Sequence, residues 1–464
     1  MKFSRNITKI IVTLGPSTGT REMIKALAEA GADGFRINFS HGNTEIWEKY
    51  ASYVLSVEEE LKRPLALIGD LQGPNPRIGN LRREPFTFKK GEKVKFVYEK
   101  ESDGSEVPIP YKEFFELITP GDKIIMADGS ISFNVESSEG SEAYAIAEME
   151  GSLYSRKSFS IKGKHLKLPY VTEHDKESLK IAASMGFSHI MASIVESSAN
   201  ILELKQTISR YFSSMPEIYS KIETEKGYEN LDYIINESDG IVVARGDLGS
   251  HFPMEALPKI QREIVQKTRK AGKPVIIATQ LLTSMLNSQT PTRSEIVDIY
   301  NSVIEGADAL MLTNETAIGN YPLQAVRWLR EASREAISLY EEKRFLYKDD
   351  TFNRFAHGLT SLSESLKGKI LLYTKSGLTG KIISQYRPKG GFFVGVPNIR
   401  AARSLSILWG ANPVLINAES YDEGLVKMRE ELLSSGDIKK GDIVIETYRF
   451  KEGEIHSIRI FYVS

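Results

Sequence analysis

Eight short β-branched runs, most of them followed by a helical pattern, constrain this chain more than any other feature. They are KIIVTL (9–14), GFRINFS (34–40), LALIGD (65–70), HIMASIV (189–195), EIYSKIE (217–223), GIVVARG (240–246), PVIIAT (274–279) and ALMLT (309–313). Apolar runs of this length fit strands covered on both faces, as in parallel sheets whose crossovers are helices. One such crossover is the amphipathic stretch from Glu22 to Ala30, closed by Gly31 as a C-cap. Repeated strand–helix alternation predicts a closed eight-stranded parallel (β/α)8 TIM barrel, within the α/β class. A doubly wound open sheet is the competing arrangement. No glycine-rich GxGxxG follows any of the runs, which counts against it.

The spacing breaks once, where more than 100 residues separate Asp70 from His189. VKFVYEK, DKIIMADGSISFNVES and AYAIAEME alternate there between apolar and polar positions, with Gly, Asp and Ser between them. That pattern predicts an all-β insertion over 73–158 inside a barrel formed by 1–72 and 159–338. It leaves from the C-terminal end of the third strand, the catalytic face of such barrels, so it is read as a lid. Gly73-Pro74 and the region near Ser158 are its expected hinges. YEEKRFLYKDD (340–350) reads as a charged hinge before a C-terminal α/β domain over 346–464. At 464 residues the chain exceeds what one core can organise, so several domains are required.

Charge and composition narrow the function. The formal net charge of −1 gives neither sign dominance, which argues against nucleic acid or a membrane surface as partner. With no cysteine, disulfides, zinc–thiolate sites, iron–sulfur clusters and thiol nucleophiles are excluded. The first residues carry no apolar signal core, and no apolar run approaches the roughly 20 residues of a membrane span. A cytoplasmic protein is expected.

The strand ends carry the chemistry. Arg36, Asn38 and Ser40 end the second run and Asp70 the third. Lys221 and Glu223 end the fifth, Arg245 and Asp247 the sixth, Thr279 and Gln280 the seventh, and Thr313 and Glu315 follow the eighth. Closing the barrel brings these ends to one mouth. Any one alone reads as a satisfied polar residue; six strands ending so argue for a ligand, because burying many charges together is costly. Lys221 and Glu223 alternate along one strand, so both can point into the mouth. Glu223 and Asp247 form an oxygen pair suited to Mg²⁺, with lysine and arginine beside them for a transferring phosphoryl group. The alternative is an ion-pair lattice that only holds the mouth together.

These stretches resemble the pyruvate kinase family along nearly the whole chain. The matching segments are TKIIVTLGPST (8–18), FRINFSHG (35–42), GDLQGPNPRIG (69–79), LPYVTEHD (168–175), YSKIET (219–224), GIVVARGDLG (240–249), GKPVIIATQLLTSM (272–285), PTRSE (291–295) and MLTNETAIGNYP (311–322). The resemblance implies transfer of the phosphoryl group of phosphoenolpyruvate to ADP, giving pyruvate and ATP, with Mg²⁺ or Mn²⁺ held by Glu223 and Asp247. It implies that Lys221 and Arg36 act on the phosphoryl group and that Gly246, Asp247 and Thr279 hold the substrate carboxylate. Thr279, Thr313 and Glu315 would deliver the proton to the enolate. Arg77 and Lys157 would reach the nucleotide phosphates. Asn38, Ser40, Asp70 and Leu71 match a monovalent-cation site, and a homotetramer is expected. At Thr374, Ser376, Gly377 and Thr379 a loop follows the strand KILLY and opens a helix, where hydroxyls and amides can receive an anion. The resemblance implies a phosphorylated effector there, and ordinary Ser/Thr capping is the alternative.

The chain departs from the family at informative places. Thr313-Asn314-Glu315-Thr316 stands for Ser-Gly-Glu-Thr, which puts the turn geometry in question. Glu196 stands where the family has arginine. Leu71, Gln72, Asn75 and Ile78 replace Thr, Lys, Glu and a further Thr. A carboxylate about 7 Å from phosphate charge costs roughly 2 kcal/mol at an effective dielectric of about 20. In the family, potassium-dependent members carry Glu at this position and independent ones usually Lys. Asn75 removes the repulsion without supplying the positive charge, so substantial activity without potassium, with at most a few-fold stimulation, is expected. A metal-dependent barrel lyase or aldolase, and a non-catalytic metabolite-sensing paralogue, are the rival readings.

Overall fold

The computed structural model describes residues 6–126, 131–164, 166, 168–340, 348–448 and 457–464. It forms two compact units, Gly73–Thr172 and the remainder, Met1–Gln72 with Glu173–Ser464. The expected hinge at 340–350 falls mostly on 341–347, outside the described residues.

Each of the eight runs becomes a strand: β1 Lys9–Thr13, β2 Gly34–Asn38, β3 Ala66–Asp70, β4 His189–Ala192, β5 Glu217–Ile222, β6 Gly240–Ala244, β7 Val275–Ala278 and β8 Ala309–Leu312. They close in the order β1-β8-β7-β6-β5-β4-β3-β2, every pairing parallel. Ile11, Ile68, Met191, Val242, Ile276 and Met311 pack together in the buried interior, which makes the barrel a filled core. Gly240 is required by close approach, since a Cβ there would lie 2.3 Å from the Tyr219 ring.

The Gly73–Thr172 unit is built on a six-stranded sheet. Phe88, Phe96, Phe114, Phe133 and Phe159 form its aromatic core. The unit extends past Ser158 because Phe159–Ile161 pairs antiparallel with Lys123–Met126 of the same sheet.

The C-terminal domain is a five-stranded sheet. Its strands are β9 Lys369–Tyr373, β10 Phe392–Val396, β11 Ala411–Leu415, β12 Ile443–Tyr448 and β13 Ser457–Tyr462, in the order β11-β10-β9-β12-β13 with only the last pair antiparallel. It belongs to the same unit as the barrel, and ion pairs join the two. Arg387 Nη2 meets Asp308 Oδ2 at 3.0 Å, Lys381 Nζ meets Glu217 Oε1 at 2.6 Å, and Arg403 Nε meets Glu58 Oε1 at 2.9 Å. The Arg387 guanidinium also stacks on Trp409, 4.2 Å from the ring centroid.

His189, at the start of β4, is fully buried against Tyr219, with ring centroids 5.5 Å apart. Burial, with Lys381 nearby, pushes its imidazole down to about 3. The folded state therefore favours the neutral ring. This stability is present above the unfolded value of about 6.5 and is lost as pH falls from there toward 3. Between pH 7.5 and 4.5, wild type is expected to lose about 2.5 kcal/mol more stability than His189→Asn. Urea midpoints at the two pH values measure this, and parallel losses would refute it.

Candidate active site

The strand ends do converge. Arg36, from β2, is buried with its Nε 2.7 Å from Asp70 Oδ2 at the end of β3, and its Nη1 donates to Thr13 Oγ1 at 2.9 Å. Lys221, on β5, places Nζ 2.8 Å from Glu223 Oε1 and 3.5 Å from Asp70 Oδ1. Arg36, Asp70, Lys221 and Glu223 thus make one buried charge cluster at the C-terminal end of the barrel.

Its electrostatics follow from burial and pairing. Burial opposes the charge on Lys221, but Asp70 and Glu223 outweigh it and hold the ammonium above the usual lysine range. Burial likewise opposes ionisation of Asp70, and Lys221 and Arg36 overcome it, so that carboxyl lies below its ordinary value. Glu223 goes the other way. Burial, with Asp247 beside it, pushes the carboxyl up to about 7 although Lys221 pulls it down. Two carboxylates near one another with too little positive charge between them suit a hard divalent cation. Among the described residues no cluster of three or more His, Cys, Asp or Glu could hold a metal. A pair such as Glu223 and Asp247 would suit Mg²⁺ or Mn²⁺ completed by substrate oxygens and water.

Asp247 is exposed in the short helix Arg245–Leu248 that follows β6. The Gly246 N–H donates to Thr279 Oγ1 at 2.8 Å, so these two carboxylate-binding candidates already touch. Across the mouth, Glu315 is buried and accepts from Leu282 N at 3.1 Å and from Thr313 N at 2.9 Å, with Thr313 Oγ1 at 3.3 Å. Asn314 needs no glycine: it is the first residue of the helix Asn314–Ala317 and has no left-handed backbone. Glu196 pairs with Lys226 at 3.2 Å and accepts from Thr224 Oγ1 at 3.3 Å, so the replaced arginine leaves a locally satisfied carboxylate.

The monovalent-cation candidates are also neighbours. Asn38 and Asp70 are register partners, Asn38 Oδ1 accepts from Ser40 N at 3.0 Å, and the Leu71 carbonyl accepts from Ser193 Oγ at 2.8 Å. Arg77 and Lys157 lie together in the sheet-rich unit: Arg77 bridges Ser158, and Ile78 N donates to Lys157 O at 2.9 Å. In the C-terminal domain, Thr374–Gly377 joins β9 to the helix Leu378–Gln385, and Gly377 takes φ +82°. Thr374 and Thr379 are buried, whereas Lys375 and Ser376 are exposed.

Two contributors, Ser193 and Ile194, lie outside the sequence expectation, and Arg245, expected at the mouth, has contacts that the sequence did not show. Ser193 follows β4, accepts from Lys221 Nζ at 2.8 Å and donates to the Leu71 carbonyl. Ile194 has φ +53° and turns its N–H onto Glu223 Oε2 at 2.6 Å. Arg245 donates to the carbonyls of Thr279 and Gln280. HIMASIV reads as one continuous strand, which hid the first two; the signal was the lone hydroxyl where β4 ends. Left-handed backbone at β-branched Ile194 and Thr279 costs about 1–3 kcal/mol each, and such strain gathers at functional sites.

Comparison with known proteins identifies the family. Residues 5–326 match the family description "Pyruvate kinase, barrel domain" and residues 354–461 match "Pyruvate kinase, alpha/beta domain". A pyruvate kinase of Pyrobaculum aerophilum is 38% identical over 463 residues, spanning 98% of this chain and 97% of that protein. One of Aeropyrum pernix is 36% identical over 461 residues, spanning 98% and 99%. The crystal structure of pyruvate kinase from Pyrobaculum aerophilum superposes with a TM-score of 0.82 at 36% identity, covering 99% of this chain and 100% of that one. With both domains matched and full-length relatives above 30% identity, the chain belongs to the pyruvate kinase family.

Proposed function

We propose that the charge cluster at the end of β3 and β5 performs the phosphoryl transfer of this family. The chain is a phosphotransferase that converts phosphoenolpyruvate and ADP to pyruvate and ATP. The observation that carries the site assignment is Lys221 Nζ held between Glu223, Asp70 and Ser193 at the barrel mouth. Glu223 and Asp247 would hold the divalent cation, which when bound supplies positive charge to the substrate oxygens. Lys221 and Arg36 place two fixed cations against the phosphoryl group as its bond to the enol oxygen breaks and a bond to an ADP phosphate oxygen forms. The Gly246–Asp247 turn and Thr279 orient the substrate carboxylate. The enolate of pyruvate left behind takes a proton at carbon, and the Thr313–Glu315 pair with Thr279 supplies the polar path for it. Arg77 and Lys157 serve the nucleotide phosphates. Pyruvate that forms only when ADP and Mg²⁺ are both present, in a coupled assay, tests the reading. A barrel lyase or aldolase would make product without ADP, and a non-catalytic paralogue would make none.

Potassium is not required on this reading. Arg36 and Lys221 already neutralise Asp70, and Asn38 Oδ1 is engaged by the Ser40 amide. Turnover in buffers free of potassium and sodium, at matched ionic strength, is expected to rise no more than a few-fold on adding potassium. A hundredfold rise would overturn this. Asn75→Glu is expected to move the enzyme toward potassium dependence.

The loop Thr374–Thr379 takes a phosphorylated effector, a reading supported by its backbone amides at the start of the helix Leu378–Gln385. Ser376→Asp is expected to abolish activation by sugar phosphates or nucleotides and to spare basal turnover. The segment after Gln72 acts as a lid. Assembly is a homotetramer, so light scattering should give four times the 52.0 kDa chain mass. Among the described residues no helix is long and apolar enough to cross a membrane. A cytoplasmic location fits the glycolytic reaction.

A further inference from the structure

Strand β7 ends at Ala278, and the next two residues, neither of them glycine, take left-handed backbone: Thr279 at φ +68° and Gln280 at φ +55°. Two such residues in succession do not persist without outside support. One guanidinium supports both of their carbonyls. Arg245 Nε and Nη2 donate to the Thr279 carbonyl at 3.1 and 2.8 Å, and Nη2 donates to the Gln280 carbonyl at 3.0 Å. On the other edge of the fork, Nη1 lies 2.9 and 2.7 Å from the two carboxylate oxygens of Asp298, in the helix Arg293–Glu305. All three guanidinium nitrogens are thus used. Lysine, a point charge without the planar fork, cannot reproduce the set.

The location gives the clamp its meaning. Arg245 opens the short helix whose next two residues are Gly246 and Asp247. The turn it stabilises carries the hydroxyl that accepts from the Gly246 amide. One side chain therefore ties the Thr279 turn to the helix that carries Gly246 and Asp247.

We propose that Arg245 is a positioning residue for the phosphoryl-transfer site, acting by holding Thr279 and Gln280 in left-handed backbone. This rests on the reading of Thr279 as substrate-facing. An alternative role as a staple between the barrel and the helix Arg293–Glu305 would use the same contacts, so the test must separate the two. Arg245→Lys is expected to lower kcat/KM for phosphoenolpyruvate about 30-fold, somewhat less than the roughly 100-fold of a full 1 Å misplacement. Glycine adopts φ near +55° without strain. Adding Gln280→Gly to Arg245→Lys should therefore recover about three- to tenfold of the loss, measured against Gln280→Gly alone. A staple would show the loss in melting temperature and no recovery of rate.

Arg245→Lys within about twofold of wild type overturns the proposal, and so does a loss that Gln280→Gly leaves unchanged. Should Arg245→Lys fail to fold, Asp298→Asn weakens the same anchor and is read by the same recovery. Thr279→Val separates the two layers. If it matches wild type, the reading of Thr279 fails; if it is impaired while Arg245→Lys is not, only the clamp fails.

Discussion

Lys221→Met is expected to lower kcat by about 10²–10³-fold with little change in phosphoenolpyruvate binding, the scale for losing one charge contact made mainly in the transition state. Methionine keeps the length of the stem and removes the ammonium. In the native site that ammonium is fixed by three groups, Glu223 Oε1, Asp70 Oδ1 and Ser193 Oγ, so no reorganisation is needed when phosphoryl charge develops. Asp70 retains Arg36 in the variant, so the barrel is expected to stay folded. Rapid-quench or coupled kinetics read the effect, with substrate titration separating kcat from KM. Near-normal turnover in a folded variant would sink the assignment of Lys221.

Glu223→Ala is expected to weaken Mn²⁺ binding and lower turnover together, with the rate falling by about 10³-fold, since a metal contributes several kcal/mol to such a reaction. On the proposed reading Glu223 and Asp247 are the two protein carboxylates that hold the cation, so removal of one would leave a single proposed ligand. Glu223 is also the better fixed of the two, because the Ile194 N–H and Lys221 both hold its oxygens, whereas Asp247 is exposed. Its loss should therefore exceed that of Asp247→Ala. Electron paramagnetic resonance of free Mn²⁺ measures the affinity directly. A variant with full turnover and unaltered Mn²⁺ affinity would remove Glu223 from the metal site.

The barrel was readable because each of its strands is an apolar run bounded by polar residues, and alternation with helices leaves few topologies. The polar ends of β2, β3 and β5 were readable for the same reason: closure must bring them to one mouth. What could not be read depended on tertiary contacts. HIMASIV has no break in its pattern, yet the chain leaves the barrel at Ala192 so that Ser193 and Ile194 can turn toward Lys221 and Glu223. The three-residue strand Phe159–Ile161 is too short to show alternation, so the sheet-rich unit runs on beyond 158 to Thr172. The loss of glycine at Asn314 looked like a conflict because sequence gives the residue and not its φ. A short helix there asks for nothing that asparagine cannot supply.

The ion pairs between the barrel and the C-terminal domain have a consequence for modularity. Arg387 and Asp308 are both almost entirely buried, and Arg403 and Glu58 nearly so. Removing the C-terminal domain would take Arg387 from Asp308, Arg403 from Glu58 and Lys381 from Glu217 at once. A buried carboxylate without its partner is destabilising by several kcal/mol, so the severed barrel would carry that burden at more than one place. The barrel is thus not a portable part. Grafting it onto a foreign regulatory domain would first require neutral residues at Glu58 and Asp308, and only then a new linker.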